Sequence, residues 1–150
     1  MSKRTFCGAA LLAAGITWAA CDESLSKIAG PTPSLTPTFS SIQRDILEST
    51  DSAGRTACTQ CHTSTGRTPS GGLNLNHDVA YEQLVNVAVR GKPGAMRVIP
   101  GDPDNSYLIQ KLEGVAAIVG RRMPNNGPPY LQDGQILIIR RWVANGAPRD

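Results

Sequence analysis

Cys58-Thr59-Gln60-Cys61-His62 is the stretch that decides the fold of this chain of 150 residues. Two cysteines separated by two residues and followed at once by a histidine form the attachment pattern of c-type haem. Each thiol can add across one vinyl group of a porphyrin, and the imidazole that follows can then face the iron. The stretch therefore predicts two covalent links, through Cys58 and Cys61, and one axial ligand, His62.

Two other chemistries use cysteines at this spacing. A thioredoxin-like site places its Cys-x-x-Cys in a βαβ unit and has no need of the histidine that follows. A structural zinc site uses four ligands, and the sequence offers no second Cys and His pair for it. A chance pattern in a loop is the remaining alternative, but it leaves the order of all three residues unexplained. Covalent haem is the interpretation that accounts for the whole motif.

Residues 1–20 have the composition of an export signal. Two cations precede an apolar run over 6–20, which is short for a transmembrane span. Two alanines before Cys21 resemble a bacterial lipobox, in which this cysteine becomes the lipidated first residue, although Trp18 stands where leucine is usual. Ordinary cleavage after Ala19 and a retained membrane anchor are the alternatives. We expect export to the periplasmic side of a bacterial membrane, with a lipid anchor at Cys21.

The rest of the chain divides into a linker over 21–38 and a domain over 39–148. Closely spaced prolines in the linker exclude a helix and favour an extended tether. The formal charge of +3 becomes about +1 once the two cations of the leader are removed, so no nucleic-acid partner is indicated. Cys7 leaves with the leader and Cys21 takes lipid, so no disulfide is expected. Covalent haem would then stabilise the small exported domain.

Hydrophobic periodicity over 39–148 predicts an all-α, loop-rich fold. A short extended piece is expected at Met96–Ile99. The expected helices are one capped by Ser40 or Ser41 that ends near Thr50, one or two turns at the haem motif, one from Val79 to about Val89 capped by Asp78, one capped by Asp102 or Asp104 that ends at Gly114, and one from Asp133 or Gly134 that is ended by Gly146 and Pro148.

The face of the haem opposite His62 has several candidate ligands. Met123 precedes a proline in a stiffened loop, Met96 lies near another Gly/Pro loop, and His77 is the second histidine of the chain. A thioether suits a low-spin iron that changes oxidation state without rearrangement, whereas an empty position would permit gas binding or peroxide chemistry. Spacing alone favours Met123 modestly. We also expect a backbone carbonyl within 63–72 to accept the Nδ1 proton of His62.

Other residues are candidates for the surroundings of the haem. Three arginines are candidates to neutralise the haem propionates, with solvated surface charges as the alternative. These arginines are Arg97, Arg121 and Arg122. An apolar pocket that limits water is expected from Ile42, Ile46, Leu108, Ile138 and Trp142.

Several stretches besides the haem motif resemble those of a known family. The chain resembles a class I c-type cytochrome and, more narrowly, the short bacterial haem domains named after planctomycete cytochromes. The similarity covers about residues 40–148. Its stretches are Gly71-Gly72-Leu73-Asn74-Leu75, Arg97-Val98-Ile99-Pro100-Gly101-Asp102-Pro103, Ser106-Tyr107-Leu108-Ile109-Gln110-Lys111-Leu112, Arg122-Met123-Pro124 and Ile138-Ile139-Arg140-Arg141-Trp142-Val143-Ala144-Asn145-Gly146-Ala147.

This resemblance implies a cytochrome c-like fold that wraps one covalent haem c, with the first and last helices packed together. It carries the axial roles onto His62 and Met123, and it implies an electron carrier that meets redox partner proteins. A peroxidase-type enzyme of the di-haem kind would need a second haem motif. A haem-based sensor or ligand-binding protein would need an open sixth position and an output module. The sequence shows neither a second motif nor an output module. The peroxidase-type enzyme and the haem-based sensor are therefore kept only as alternatives to the carrier.

Overall fold

The computed structural model describes residues 35–150, so the predicted signal peptide, Cys21 and most of the linker lie outside the described residues. Helices and isolated β-bridges make up the regular structure, and no strand is formed within 35–150. The prediction of a helical domain is therefore confirmed. No helix in this part of the chain combines the length and the apolar character of a membrane span.

Four α-helices separated by long loops build the domain. Between them, two short 3-10 turns occupy Cys58–Gln60 and Ser70–Gly72. The helices are α1, Phe39–Ile42, which continues as a π-helical turn over Gln43–Leu47; α2, Ala80–Leu84; α3, Tyr107–Glu113; and α4, Asp133–Ala144.

The core forms where α4 packs against both α1 and α3. Trp142 of α4 is fully buried, its ring lies 5.5 Å from that of Phe39, and its Nε1 donates to the Pro148 carbonyl at 2.9 Å. The rings of Tyr81 and Phe39 also pack edge to face, with their centres 5.2 Å apart. The first and last helices of the domain are thus joined through aromatic side chains, as the family resemblance implies.

The start of α1 differs from the prediction. Thr38, rather than Ser40 or Ser41, is the N-cap, and its Oγ1 accepts from the Ser41 backbone N–H at 3.3 Å. Ser41 already lies in the first turn, where its hydroxyl donates to Asp45 at 3.0 Å. A serine engaged inside the helix is not free to cap it, so the predicted cap was wrong.

The end of the same helical segment also differs. It stops at Leu47 instead of near Thr50. The buried guanidinium of Arg55 donates to the carbonyls of Ile46 and Ser49, at 3.2 and 3.0 Å. Carbonyls that accept from this side chain no longer need helical N–H partners, so the chain can leave the helix early.

The helix predicted from Val79 to about Val89 is much shorter than expected. It covers Ala80–Leu84 instead of 79–89, and Asp78 does not cap it. The backbone beyond it turns extended and pairs with the segment around Met96 through bridges Val85↔Val98 and Ala88↔Met96. Extended pairing satisfies the backbone of 85–89 in place of a helix. The expected strand at Met96–Ile99 is likewise a set of single bridges.

The last two helices begin and end close to the predicted places. Ser106, not Asp102 or Asp104, is the N-cap residue of α3, because Asp102 instead accepts from the backbone and side chain of Asn105 in the preceding turn. Gly114 ends α3 in the left-handed conformation, with φ +75°, as predicted. α4 begins at Asp133, as predicted, behind a reciprocal cap between Gln132 and Gln135.

Candidate functional site

A cavity of about 410 Å³ opens beside the Cys58–His62 motif. Pockets that bury cofactors have volumes of roughly 300–1,000 Å³, so this one is large enough for a flat organic group. Its wall is mostly apolar. The residues that line it include Ile46, Leu47, Leu73, Leu75, Leu84, Val89, Leu108, Leu112, Val119, Leu131 and Ile139.

The predicted apolar pocket is only partly the observed one. Ile46 and Leu108 line the cavity, whereas Ile42, Ile138 and Trp142 are buried in the core, outside the cavity wall. The sequence pattern marks a helix face as apolar, but it cannot tell which part of that face meets a neighbouring helix and which part meets a cavity.

The haem motif forms one tight turn at the cavity wall. The backbone N–H of His62 donates to the Cys58 carbonyl at 2.9 Å, which closes the turn. Cys58 and His62 both line the cavity, whereas the Cys61 side chain is exposed and lies outside the wall. Burial raises the pKa of the Cys58 thiol, against the opposing effect of Arg55. The structure therefore brings two of the three motif residues to the cavity.

The His62 ring is oriented by a backbone carbonyl. Its Nδ1 lies 3.0 Å from the Ser70 oxygen, which confirms the expectation of such a carbonyl within 63–72. A carbonyl can only accept, so Nδ1 carries the proton and Nε2 keeps a free lone pair. Burial lowers the pKa of His62, and the charges of Arg97 and Lys111 act in the same direction. The imidazole is thus neutral at neutral pH, the form that binds a metal ion.

The loop behind His62 is fixed to the motif by backbone hydrogen bonds. The Ser70 N–H donates to the Cys61 carbonyl at 3.0 Å, and the Leu75 N–H donates to the His62 carbonyl at 2.8 Å. These bonds hold the carbonyl acceptor of His62 in place relative to the motif. The ring orientation is therefore set by the fold and does not depend on a flexible side chain.

The three candidate sixth ligands lie in different surroundings. Met123 is half-buried and lines the cavity. Met96 is half-buried too, but its backbone bridges to Ala88 and Ser106 and its side chain is not part of the cavity wall. The His77 side chain is 71% exposed, and its Nδ1 lies 3.4 Å from Glu48. Among these three, the structure brings only Met123 to the cavity that His62 lines.

The structure places the three arginines that are candidate partners of the haem propionates in different surroundings. Arg97 and Arg121 line the cavity, and no Asp or Glu does. Arg97 is held by carbonyls, because its guanidinium donates to Gln83 at 2.7 Å and to Gly72 at 2.9 Å, and burial lowers its pKa. Arg122 lies away from the wall, where its guanidinium stacks 4.3 Å from the ring centre of Tyr130.

Sequence reasoning missed Arg55, which supports the motif from behind. Its side chain is only 1% exposed, pairs with Asp51 at 3.1 Å, and donates to the Thr56 carbonyl at 3.0 Å as well as to the two carbonyls at the end of the first helical segment. An arginine three positions before a motif reads in sequence as an ordinary surface charge. No local pattern signals that it is buried.

The residues at this cavity fit a haem held by Cys58 and His62, whereas Cys61, the other cysteine of the motif, lies outside the wall. An apolar space beside the motif has a neutral imidazole with a free Nε2 and a thioether in its wall, and all the charged side chains of that wall are cationic, as anionic propionates require. In the part of the chain that the structure describes, no group of three or more His, Cys, Asp or Glu side chains is placed to hold a metal ion.

Comparisons with protein-family models, with curated proteins and with solved structures each gave no match. The cavity and the residues in its wall are therefore the basis on which a function can be assigned.

Proposed function

We propose that this protein is a monohaem c-type cytochrome that carries single electrons between redox partner proteins. Cys58 and Cys61 would hold one haem c covalently, and His62 and Met123 would be its axial ligands. The observation that carries the proposal is that His62 and Met123, far apart in the chain, line one apolar cavity. The helical fold, with its first and last helices in contact, also supports a cytochrome c-like architecture.

Cys58, His62 and Met123 would hold a haem in this cavity, and the bound haem would supply a one-electron couple for exchange with redox partner proteins. The protein's own groups prepare the site for this exchange. The Ser70 carbonyl fixes the His62 ring and raises its basicity, and the thioether of Met123 is a neutral ligand that suits both oxidation states. Apolar side chains such as Leu108 and Ile139 line the cavity and would limit water around a bound haem, which would favour the reduced state and raise the potential.

The setting of this carrier is also part of the proposal. An export signal over 1–20, lipidation of Cys21 and a linker over 21–38 would tether the domain on the periplasmic side of a bacterial membrane. The basis for this tether is the sequence pattern alone. The partners would be proteins of a respiratory complex, a dehydrogenase or a reductase, and no nucleic-acid partner is proposed.

Optical spectra of the purified haem-loaded protein test the axial ligands. We expect a far-red methionine–iron band in the oxidised protein and little binding of carbon monoxide to the reduced protein. Met123→Leu should abolish the band and open the iron to carbon monoxide. Met96→Leu is the matched control, because it removes the same chemical group from a position outside the cavity wall.

Rapid binding of carbon monoxide by the parent protein would contradict the carrier assignment. It would favour the alternatives with an open sixth position, a ligand-binding sensor or a peroxidase-type enzyme. Retention of the far-red band in Met123→Leu, with its loss in Met96→Leu, would transfer the ligand role to Met96.

The lipid anchor has its own test. Cys21→Ser should release the protein from the membrane fraction into the soluble fraction of cells, because lipidation of this residue would no longer be possible. Immunoblotting of the two fractions measures the change, with Cys7→Ser as the matched control. Unchanged membrane association in Cys21→Ser would reject the anchor while leaving the haem assignment intact.

A further inference from the structure

The segment that carries Met123 has little regular structure of its own. It covers residues 115–123, the Met123 loop, between α3 and the Asn- and Gly-containing turn that follows. Two of its apolar residues are exposed, Val115 and Val119, and Val119 is 57% exposed. A loop with so little burial cannot hold a ligand in place by packing alone. What fixes Met123 must therefore be sought in hydrogen bonds from neighbouring elements.

Lys111 of α3 contacts the Met123 loop at three points. Its backbone carbonyl accepts from the Met123 N–H at 2.9 Å. Its ammonium donates to the Val119 carbonyl at 3.1 Å and also to the Arg121 carbonyl. The same side chain lines the cavity. One residue thus holds both the loop just before the methionine and the methionine backbone itself.

Other side chains hold the loop elsewhere. Lys92 donates to the Ala117 carbonyl at 2.8 Å, and the Tyr107 hydroxyl accepts from the Val119 N–H at 2.8 Å. Lys92 and Lys111 therefore form a natural pair for comparison. Both are lysines whose ammonium groups donate to carbonyls of one loop. Only Lys111 reaches the part of the loop that adjoins Met123.

The interactions of Lys111 are of a strong kind. Hydrogen bonds in which the donor is charged are roughly twice as strong as neutral ones. Within residues 35–150 the ion pairs involve other cations, such as Arg44, Arg140 and Arg149, so no carboxylate of this part of the chain competes for the Lys111 ammonium. Its charge is directed at the two loop carbonyls.

We infer that Lys111 is the positioning residue for Met123: its ammonium clamps the Met123 loop and keeps the thioether at the iron. The inference rests on the proposed haem site with Met123 as sixth ligand. Loss of the clamp increases the fraction of molecules in which the loop has opened. A ligand that binds only the open form then binds more tightly in proportion to that fraction.

The test compares Lys111→Leu with Lys92→Leu in the full-length haem-loaded protein. Lys111→Leu should raise the affinity of the reduced protein for carbon monoxide by about tenfold, since the two exposed hydrogen bonds that are lost together stabilise the closed form by about that factor. It should also weaken the far-red band of the oxidised protein. Lys92→Leu should leave both properties close to those of the parent.

Each outcome separates the clamp from the function on which it rests. If the parent lacks the band or binds carbon monoxide rapidly, the proposed function fails. If the parent behaves as proposed and Lys111→Leu behaves like it, the clamp alone is overturned. A changed reduction potential with unchanged carbon monoxide affinity also overturns it, because that result reports only the lost charge. Lys111→Gln, which keeps a polar side chain, carries the same test if Lys111→Leu does not accumulate.

Discussion

Arg55 shows how strongly one buried side chain can shape this site. Its guanidinium lies behind the haem motif, pairs with Asp51, and bonds carbonyls on both sides of the loop between the first helical segment and Cys58. Within this loop the arginine replaces a helix or strand as the partner for backbone groups. The position of Cys58 in the cavity wall therefore depends on a charge that the solvent scarcely reaches.

Replacing Arg55 should destabilise the folded protein. We expect Arg55→Leu to lower the free energy of unfolding by about 3–5 kcal/mol, since it removes the charge partner of the Asp51 carboxylate and the donor to several carbonyls. Chemical denaturation monitored by circular dichroism measures the change. Arg44→Leu is the control, because Arg44 forms an exposed ion pair with Asp45 and its loss should change the free energy of unfolding far less. Equal effects of the two variants would show that burial of Arg55 is not important for stability.

At the scale of residues, the sequence predicted the carbonyl acceptor of the His62 ring, and the structure confirms it. The spacing of Cys58, Cys61 and His62 is a property of the local chain, and so is the nearby carbonyl that the ring needs. The roles of Arg55, Lys111 and Arg122 were not predictable, because the direction of a long side chain depends on elements that are distant in sequence. The place of Met123 was expected chiefly from the family resemblance.

Among the helices, the shortened α2 shows where local pattern fails. Apolar residues at Tyr81, Leu84, Val85 and Ala88 match the spacing of a helix, yet the helix stops at Leu84. Beyond it, Asn86 adopts φ +57° and its N–H donates to the Val98 carbonyl at 2.9 Å. Pairing with a distant segment satisfies the same backbone groups as a helix would, and a single-sequence pattern contains no information about that partner.

The end of α3 provides a test of how this helix constrains the Met123 loop. Gly114→Ala should destabilise the protein by about 1–2 kcal/mol through left-handed strain, and further because the new Cβ would lie 2.8 Å from Cδ of Arg122. Gly101→Ala is the matched control, with φ +82° but no atom within 4 Å of the new Cβ. Denaturation should rank Gly114→Ala as the less stable variant, with a weaker far-red band. If both variants lose the same amount of stability, backbone strain alone explains the loss and the contact with Arg122 contributes nothing.

The seam between α1 and α4 contains Trp142, the largest fully buried side chain among the described residues. Trp142→Ala should lower the free energy of unfolding by about 3–5 kcal/mol, because it removes a fully buried ring and its bond to the Pro148 carbonyl. Arg141→Ala, an exposed neighbour on the same helix, should change it by less than about 0.5 kcal/mol. Thermal and urea denaturation measure both. A small effect of Trp142→Ala would place the stabilising core elsewhere.

At the scale of the whole molecule, hydrogen bonds between Ser40 and Asp150 join the two ends of the described domain. Asp150 accepts from the Ser40 backbone N–H at 3.0 Å and from the Ser40 hydroxyl, so it satisfies one N–H group in the first turn of α1, beside the Thr38 cap. These bonds to Ser40 lower the pKa of Asp150 below its usual 3.8. A helical domain was predictable from hydrophobic periodicity. This closure was not, because it joins residues at opposite ends of the domain sequence.

The closure predicts a dependence of stability on pH. A carboxylate whose pKa is lower in the folded state contributes stability that is complete above its unfolded pKa, near 3.8, and is lost as pH falls through the folded value. Asp150→Asn should therefore be less stable than the parent at pH 6 by a few tenths of a kcal/mol, since the site is exposed. The difference should shrink below about pH 3. Urea denaturation at both values checks this, and a constant difference would contradict it.

The same contact has a practical consequence for protein engineering. Because Asp150 lies against the start of the first helix, the chain enters and leaves the folded unit at nearly one point. A unit of this kind can be inserted into a surface loop of another protein without forcing the two ends of that loop apart. The domain is thus suited to insertion into a chimeric protein, with short flexible spacers before Leu35 and after Asp150.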